Sequence, residues 1–243
     1  MTKKITSVSN PLVQEVVQLK KEKKTNLYIV EGFRFFESVY KQKKDSIKHW
    51  FIAESFQGHY FYPDIQDRCV VVSESVMSKM SSMTTPPGIL AVCTYEYAKG
   101  TPKMPCLVCY DVSDPGNLGA LFRSAAAFSV KDVVCIGGVD PLNQKVIQAS
   151  AGTLHLLNLY RMTEADFLKH AKNSEIVAIS LSGQPIESIE KKKNRFLVIG
   201  NEAHGLPESF IAQCSKTVTI PMNNAVESLN AAIAGSIAMF QLF

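Results

Sequence analysis

No apolar run in the 243 residues approaches the ~20 that a membrane-spanning helix needs, and mean hydropathy is only +0.03. The most apolar long stretch, Ala225–Phe243, is interrupted by Glu227, Asn230 and Gln241 and reads as a packed helix. The opening MTKKITSVSN has two lysines with no apolar core behind them, so it does not read as a signal peptide. The expectation is a cytoplasmic protein with no membrane partner. Nucleotide and hydrolase signatures are also missing. There is no GxGxxG turn, no GxxxxGK[ST] phosphate loop, no Gly-x-Ser-x-Gly elbow and no HExxH. Histidines are few, at 49, 59, 155, 170 and 204, and none has metal-ligand spacing. The pair Cys106-Leu-Val-Cys109 has CxxC spacing but no second pair, so it reads as part of a buried strand. No metal site is expected.

What is present is a core-forming composition, 46% hydrophobic and 20% charged. That excludes global disorder and, at this length, predicts one large domain or two small ones. Charge is uneven. Residues 1–105 hold 15 basic and 10 acidic residues, whereas 106–243 hold 11 and 12. The excess includes Lys20, Lys21, Lys23 and Lys24, and then Lys41, Lys43, Lys44 and Lys48. Such a surface attracts a phosphate backbone without reading sequence. Composition alone is equally consistent with lysines that merely solvate helix ends.

The segment AKGTPKMP, 98–105, reads as a linker between residues 1–97 and 106–243. Before it, β-like runs at 27–30, 49–53, 69–73 and 89–95 alternate with helical patterns near 10–20, 33–42 and 74–82. After it come five strand runs, 107–111, 133–137, 176–181, 196–200 and 217–221. Helical patterns lie near 117–128, 143–151 and 164–173, and one over 225–242 follows the last strand. Nearly continuous apolar strands alternating with helices predict an α/β fold with a parallel sheet covered on both faces. Ligands of such sheets bind beyond the strands' carboxyl ends. Three loops there join Gly or Pro to polar side chains. They begin at Ser113-Asp114-Pro115-Gly116-Asn117, at Gly200-Asn201-Glu202 and at Pro221-Met222-Asn223.

Together the loops resemble the three motifs of the SpoU (TrmH-like) RNA 2′-O-ribose methyltransferases of the SPOUT superfamily. The stretches are DPGNLGALFRSAAAF (114–128), LVIGNEAHGLPE (197–208) and IPMNNAVESLNAAIAGSIA (220–238), with KVIQASAG (145–152) between the first two. The resemblance implies a C-terminal domain with a deep trefoil knot that binds S-adenosylmethionine, and a homodimer. Residues 1–97 are similar to the smaller ribosomal-protein-L30e-like α/β domain that binds substrate RNA, here through Lys20, Lys21, Lys23, Lys24 and Arg34.

By their motif positions, Asn117, Arg123, Glu202, Ser228 and Asn230 are the expected catalytic residues. Asn117 would orient Arg123 or the target ribose. Arg123 would grip the neighbouring phosphate and stabilise the developing oxyanion. Glu202 would hold the arginine or act as base. Gly200, Asn201, Ile220, Met222 and Leu229 would contact the cofactor, with Leu181 and Ser182 beside them. Three residues depart from the pattern: Ser129 replaces a common glycine, Gln148 a common arginine and Asn158 a frequent proline. Ribosomal RNA is the expected substrate ahead of transfer RNA. The rivals are a silent RNA-binding protein, a base methyltransferase and a nucleotide-dependent metabolic enzyme.

Overall fold

The computed structural model describes residues 4–21, 26–223 and 225–243. The chain folds into two units, Met1–Glu96 with Leu142–Ile147, and Tyr97–Pro141 with Gln148–Phe243. Residues Leu142–Ile147 thus return to the first unit, a detour that the 1–97 and 106–243 boundaries did not anticipate.

In the first unit, β1 (Lys4–Ile5), α1 (Pro11–Leu19), β2 (Leu27–Glu31), α2 (Phe33–Lys43), β3 (Ile47–Ala53), α3 (Tyr62–Ile65), β4 (Val70–Val72), α4 (Glu74–Met80) and β5 (Ile89–Thr94) follow one another. The sheet order is β1-β4-β3-β5-β2. Pairing is parallel at β1–β4 and β4–β3 and antiparallel at β3–β5 and β5–β2. Helix α1 starts where it does because the Asn10 side chain accepts the Leu12 N–H and Pro11 fills the first turn. Its Val13 and Val16 pack with Phe51, Val72, Met77 and Leu90. The two-residue β1 is too short for its apolar pattern to be read from sequence.

The second unit contains β6 (Cys106–Tyr110), α5 (Pro115–Ala127), β7 (Asp132–Ile136), the end of α6 (Gln144–Ala149), β8 (Asn158–Met162), α7 (Glu164–Ala171), β9 (Glu175–Pro185), β10 (Arg195–Ile199), α8 (Glu208–Ile211), β11 (Lys216–Thr219) and α9 (Ala231–Leu242). All pairs in the sheet β11-β9-β10-β6-β7-β8 are parallel. Strands β7 and β10 are buried along their whole length. Cys106 and Cys109 are buried on β6, and burial pushes the Cys106 thiol well above its ordinary value.

Three features differ from the sequence reading, and a fourth agrees with it. Strand β8 is a sixth strand, missed because an edge strand reading NLYRM lacks a continuous apolar run. The last helix begins at Ala231, not 225, because the Asn230 side chain accepts the N–H groups of Ala232 and Ile233 and sets the helix start there. The 98–105 segment is packed rather than free. Ala98 N–H donates to the Leu159 carbonyl at 2.8 Å, and Lys103 N–H donates to buried Asp132 at 2.6 Å. Asp132 also accepts from Asn158 and Tyr160, so its burial is matched by hydrogen bonds. Finally, Ser129 follows α5 with φ 62°, the left-handed conformation that glycine adopts without steric cost.

Helices α5 and α9 meet along a narrow seam. Ser124 and Ser236 hydroxyls are 2.7 Å apart, and Phe128 and Phe240 rings 6.0 Å apart. Between them, a Cβ on Gly235 would lie 2.4 Å from Leu121 Cδ2 and 3.2 Å from Ile199 Cγ1. Alanine in a helix interior gains about 1 kcal/mol over glycine, but overpacking a core costs about 1–3 kcal/mol. Gly235→Ala is therefore expected to lower the urea midpoint. A raised midpoint would mean that the seam opens without cost.

Candidate active site

One cavity of about 430 Å³ lies at the carboxyl ends of β9, β10 and β11. Ile179, Ser180 and Leu181 come from β9, and Ile199 to Leu206 from the end of β10 and its loop. Thr219, Ile220 and Met222 follow β11, and Glu227, Ser228, Leu229, Ala231 and Ala234 close the far wall. Leu181 reaches the rim because the β9–β11 register jumps. Thr217 pairs with Ala178 but Val218 with Gln184, which leaves the intervening β9 residues bulged outward. Leu181 is consequently 69% exposed at the cavity rim.

The loop after β10 is a tight turn. Asn201 and Gly205 exchange backbone hydrogen bonds at 3.1 and 2.9 Å. The Asn201 Oδ1 accepts the N–H groups of Ala203 and His204, and its Nδ2 donates to the Asp111 carbonyl. A Cβ at position 200 would lie 2.6 Å from the Gly205 carbonyl carbon, so this fold-back requires glycine.

Glu202 projects from that turn onto the loop after β6. One carboxylate oxygen accepts from the backbone and hydroxyl of Ser113, and the other from Asp114 N–H and Asn117 Nδ2. Burial pushes the carboxyl pKa up. The hydrogen bonds from Asn117, its own backbone and Ser113 outweigh this and hold it below its ordinary value.

The network continues. Asn230 Oδ1 must face the α9 N–H groups, so its Nδ2 donates to Asn117 Oδ1 at 2.7 Å. That leaves Asn117 Nδ2 to donate to Glu202 at 2.9 Å. Both amide orientations therefore follow from the donors around them. Three elements, the β10 turn, α5 and α9, are tied through this one chain of polar groups.

The sequence of residues 104–240 matches the SpoU rRNA Methylase family. The chain belongs to the SpoU rRNA methylase family. Residues 10–91 match the MRM3-like substrate binding domain. The chain is 26% identical over 249 residues to the 23S rRNA (guanosine(2553)-2′-O)-methyltransferase RlmP of Bacillus subtilis, covering 99% of each. It is 29% identical to an uncharacterized tRNA/rRNA methyltransferase of Synechocystis sp., covering 98% of this chain and 92% of that one. The AdoMet-bound rRNA methyltransferase of Sinorhizobium meliloti superposes with a TM-score of 0.87 at 25% identity, over 99% of this chain and 97% of that one.

In this SpoU chain, Leu181, Gly200, Asn201, Ile220, Met222 and Leu229 line the cavity and Ser182 does not. Of the expected catalytic residues, Glu202 and Ser228 line it, while Asn117 and Asn230 join Glu202 through hydrogen bonds. Arg123 stands apart. Six residues along α5 rotate it about 120° from Asn117, and its side chain is solvent-exposed. Among the described residues no hydrogen bond or ion pair engages its guanidinium. Asn117 and Glu202 therefore orient each other, not Arg123.

Sequence reasoning missed Ile179, Ser180, Thr219 and Glu227. Within the β9 bulge, Gly183 has φ 149° and a Cβ there would lie 2.5 Å from the Thr217 carbonyl oxygen. In the first unit, Lys20 is turned inward, its ammonium donating to the carbonyls of Lys79 and Ser81. Burial lowers its pKa. It is not free to hold a phosphate. Lys21 and Arg34 are exposed, and Lys23 and Lys24 lie outside the described residues.

Proposed function

We propose that this chain methylates a ribose 2′-oxygen of ribosomal RNA with S-adenosylmethionine as donor, acting as a cytoplasmic homodimer. The observation that carries this reading is that the second and third SpoU motifs line one cavity and the first is tied to it through the Glu202–Asn117–Asn230 chain. The cavity suits the donor. Its volume is in the range of small-molecule sites. Ile179, Leu206, Ile220 and Leu229 offer apolar walls for a nucleoside, and Ser180, Thr219, Glu227 and the turn's backbone offer polar contacts. When bound, the donor supplies an electrophilic methyl carbon on a sulfonium.

The chain's own residues then bind, orient and stabilise charge. Glu202, saturated by four hydrogen bonds, is an anchor and a poor proton acceptor at neutral pH. It positions Asn117 and the start of α9, and with it Ser228, at the cavity mouth. Arg123 holds the phosphate beside the target ribose and stabilises the charge that develops on the 2′-oxygen as its proton passes to bulk water.

A homodimer explains two exposed features. Ile233, Ile237 and Phe240 recur at helical spacing on the open side of α9 and are 52%, 39% and 63% exposed, with Phe128 beside them. A patch of this kind marks an interface. Arg123, which faces away from its own network, would act at that interface. Phe240→Asp is expected to halve the mass seen by analytical ultracentrifugation and to reduce methylation. A monomeric wild type would overturn the dimer. The trefoil knot is part of the same proposal. After β10 the chain passes to the outer strand β11 and returns as α9 against α5 and β10, a path that supports threading.

The test compares ribosomal RNA from cells with and without the gene, mapping 2′-O-methyls by resistance to alkaline cleavage. One methyl lost, and restored by the wild-type gene, is expected. No lost methyl in ribosomal or transfer RNA, with S-adenosylmethionine bound by the purified protein, would favour a silent RNA-binding role.

A further inference from the structure

The first unit holds a cleft of its own, lined by Lys44, Asp45, Ile47, Lys48, Trp50 and Arg68. Three of those side chains are cations and one is a carboxylate. The 3-10 turn Lys44–Ser46 between α2 and β3 creates it by placing Lys44 and Lys48 on one side.

The cations are weakly compensated. Lys44 Nζ donates to the neutral Tyr40 hydroxyl at 3.0 Å and sits 4.5 Å over the same residue's ring centroid. Lys48 pairs with Glu15 at 3.3 Å, but both side chains are solvent-exposed, where such a pair is readily exchanged for another anion. Arg68 is exposed and has no ion pair among the described residues.

An aromatic row leads away from this cleft. Trp50 lies edge-on to Tyr40 at 5.5 Å, Tyr40 to Phe61 at 5.2 Å, Phe61 to Phe33 at 5.3 Å, and Phe33 to Tyr60 at 5.7 Å. Tyr60 ends the row, 74% exposed. It is nonetheless supported by the His59 ring at 4.5 Å. That ring is itself fixed: Phe61 N–H donates to its Nδ1, and Phe56 lies nearly parallel at 4.5 Å. A single exposed tyrosine is ordinary. One mounted on a fixed stack, at the end of a row that starts in a cationic cleft, matches the two chemistries of single-stranded RNA. Those are phosphate charge and unpaired base faces.

We propose that this face of the first unit grips the substrate RNA, with Lys44, Lys48 and Arg68 holding a phosphodiester and Tyr60 stacking an unpaired base. The proposal rests on the reading of the chain as an RNA methyltransferase. It moves the RNA contact away from Lys20.

The test uses full-length protein and ribosomal RNA from cells lacking the gene. Binding is measured against salt, and methylation kinetics and S-adenosylmethionine binding are measured in parallel. The triple variant Lys44→Ala, Lys48→Ala, Arg68→Ala is expected to raise KM for RNA with kcat unchanged. It should also flatten the log–log salt dependence by about 0.7, the value for one phosphate contact on single strands. Tyr60→Ala should weaken binding about 5- to 100-fold, and Tyr60→Phe should retain it. Asp45→Asn should tighten it. Binding of S-adenosylmethionine should be unchanged in every variant, and thermal unfolding that matches the wild type reports that the first unit still folds.

Wild-type affinity and salt slope in the triple variant, or equal losses in Tyr60→Phe and Tyr60→Ala, would overturn the site while leaving the enzyme reading intact. A wild-type protein that neither binds nor methylates the RNA would overturn the enzyme reading itself.

Discussion

Arg123→Ala is expected to lower kcat/KM for RNA methylation by about 10²- to 10³-fold, the loss typical when one donor to a developing oxyanion is removed. The fold should not change. Arg123 is exposed on α5, and no hydrogen bond or ion pair engages its guanidinium among the described residues. Thermal unfolding and S-adenosylmethionine affinity should therefore match the wild type. Arg123→Lys should recover only part of the rate, because an ammonium cannot make the planar, bidentate contact of a guanidinium with phosphate. Should Arg123→Ala retain the wild-type rate, the arginine would be a solvated surface residue and the family role would not apply to this chain.

Glu202→Gln is the second large effect, and it differs in kind. The carboxylate accepts from four donors: Ser113 N–H, Ser113 hydroxyl, Asp114 N–H and Asn117 Nδ2. A glutamine replaces one acceptor oxygen with an NH₂ group, which then faces donors. Either the Ser113 or the Asn117 side of the network must break, leaving polar groups unmatched at about 1–3 kcal/mol. Activity is expected to fall about 10²-fold, because the β10 turn, Asn117 and the α9 start lose their common anchor. Stability should fall as well, unlike in Arg123→Ala.

The pH dependence separates the two variants further. Glu202 is lowered in the folded state, so its contribution is present above the unfolded carboxylate value. It is lost as pH falls through the folded one. The wild type should therefore lose this increment only in acid, and Glu202→Gln should unfold with less acid sensitivity. If Glu202 were instead the proton acceptor, the rate would drop on its acid side and Glu202→Gln would keep wild-type stability. Unfolding curves at pH 4 and pH 7, for wild type and variant, decide between these.

Much of the molecule was legible from residue patterns. Continuous apolar strands such as Cys106–Tyr110 and Phe196–Ile199 can only be covered on both faces, so the parallel sheet followed from the pattern. The loop residues at the strand ends stood out because Gly200, Asn201 and Glu202 have no reason to cluster there for packing alone. The family motifs then named Asn117, Glu202, Ser228 and Asn230, and the structure brings these together.

Other features depended on contacts between residues distant in the chain. The β9 bulge that places Ile179, Ser180 and Leu181 at the cavity arises from pairing with β11, some 40 residues later, and leaves almost no local signal. The role of Glu202 depended on which donors reached it, and these came from α5 and the loop before it, not from Arg123. Lys20 carried the same charge in the sequence as its neighbours, yet only the fold shows its ammonium spent on the Lys79 and Ser81 carbonyls. Sequence by itself determined which surfaces must be buried and which residue types sit at the strand ends, because periodicity and polarity are local. Tertiary structure alone decided which polar atoms meet, because hydrogen-bond partners and exposed faces are set by contacts across the chain.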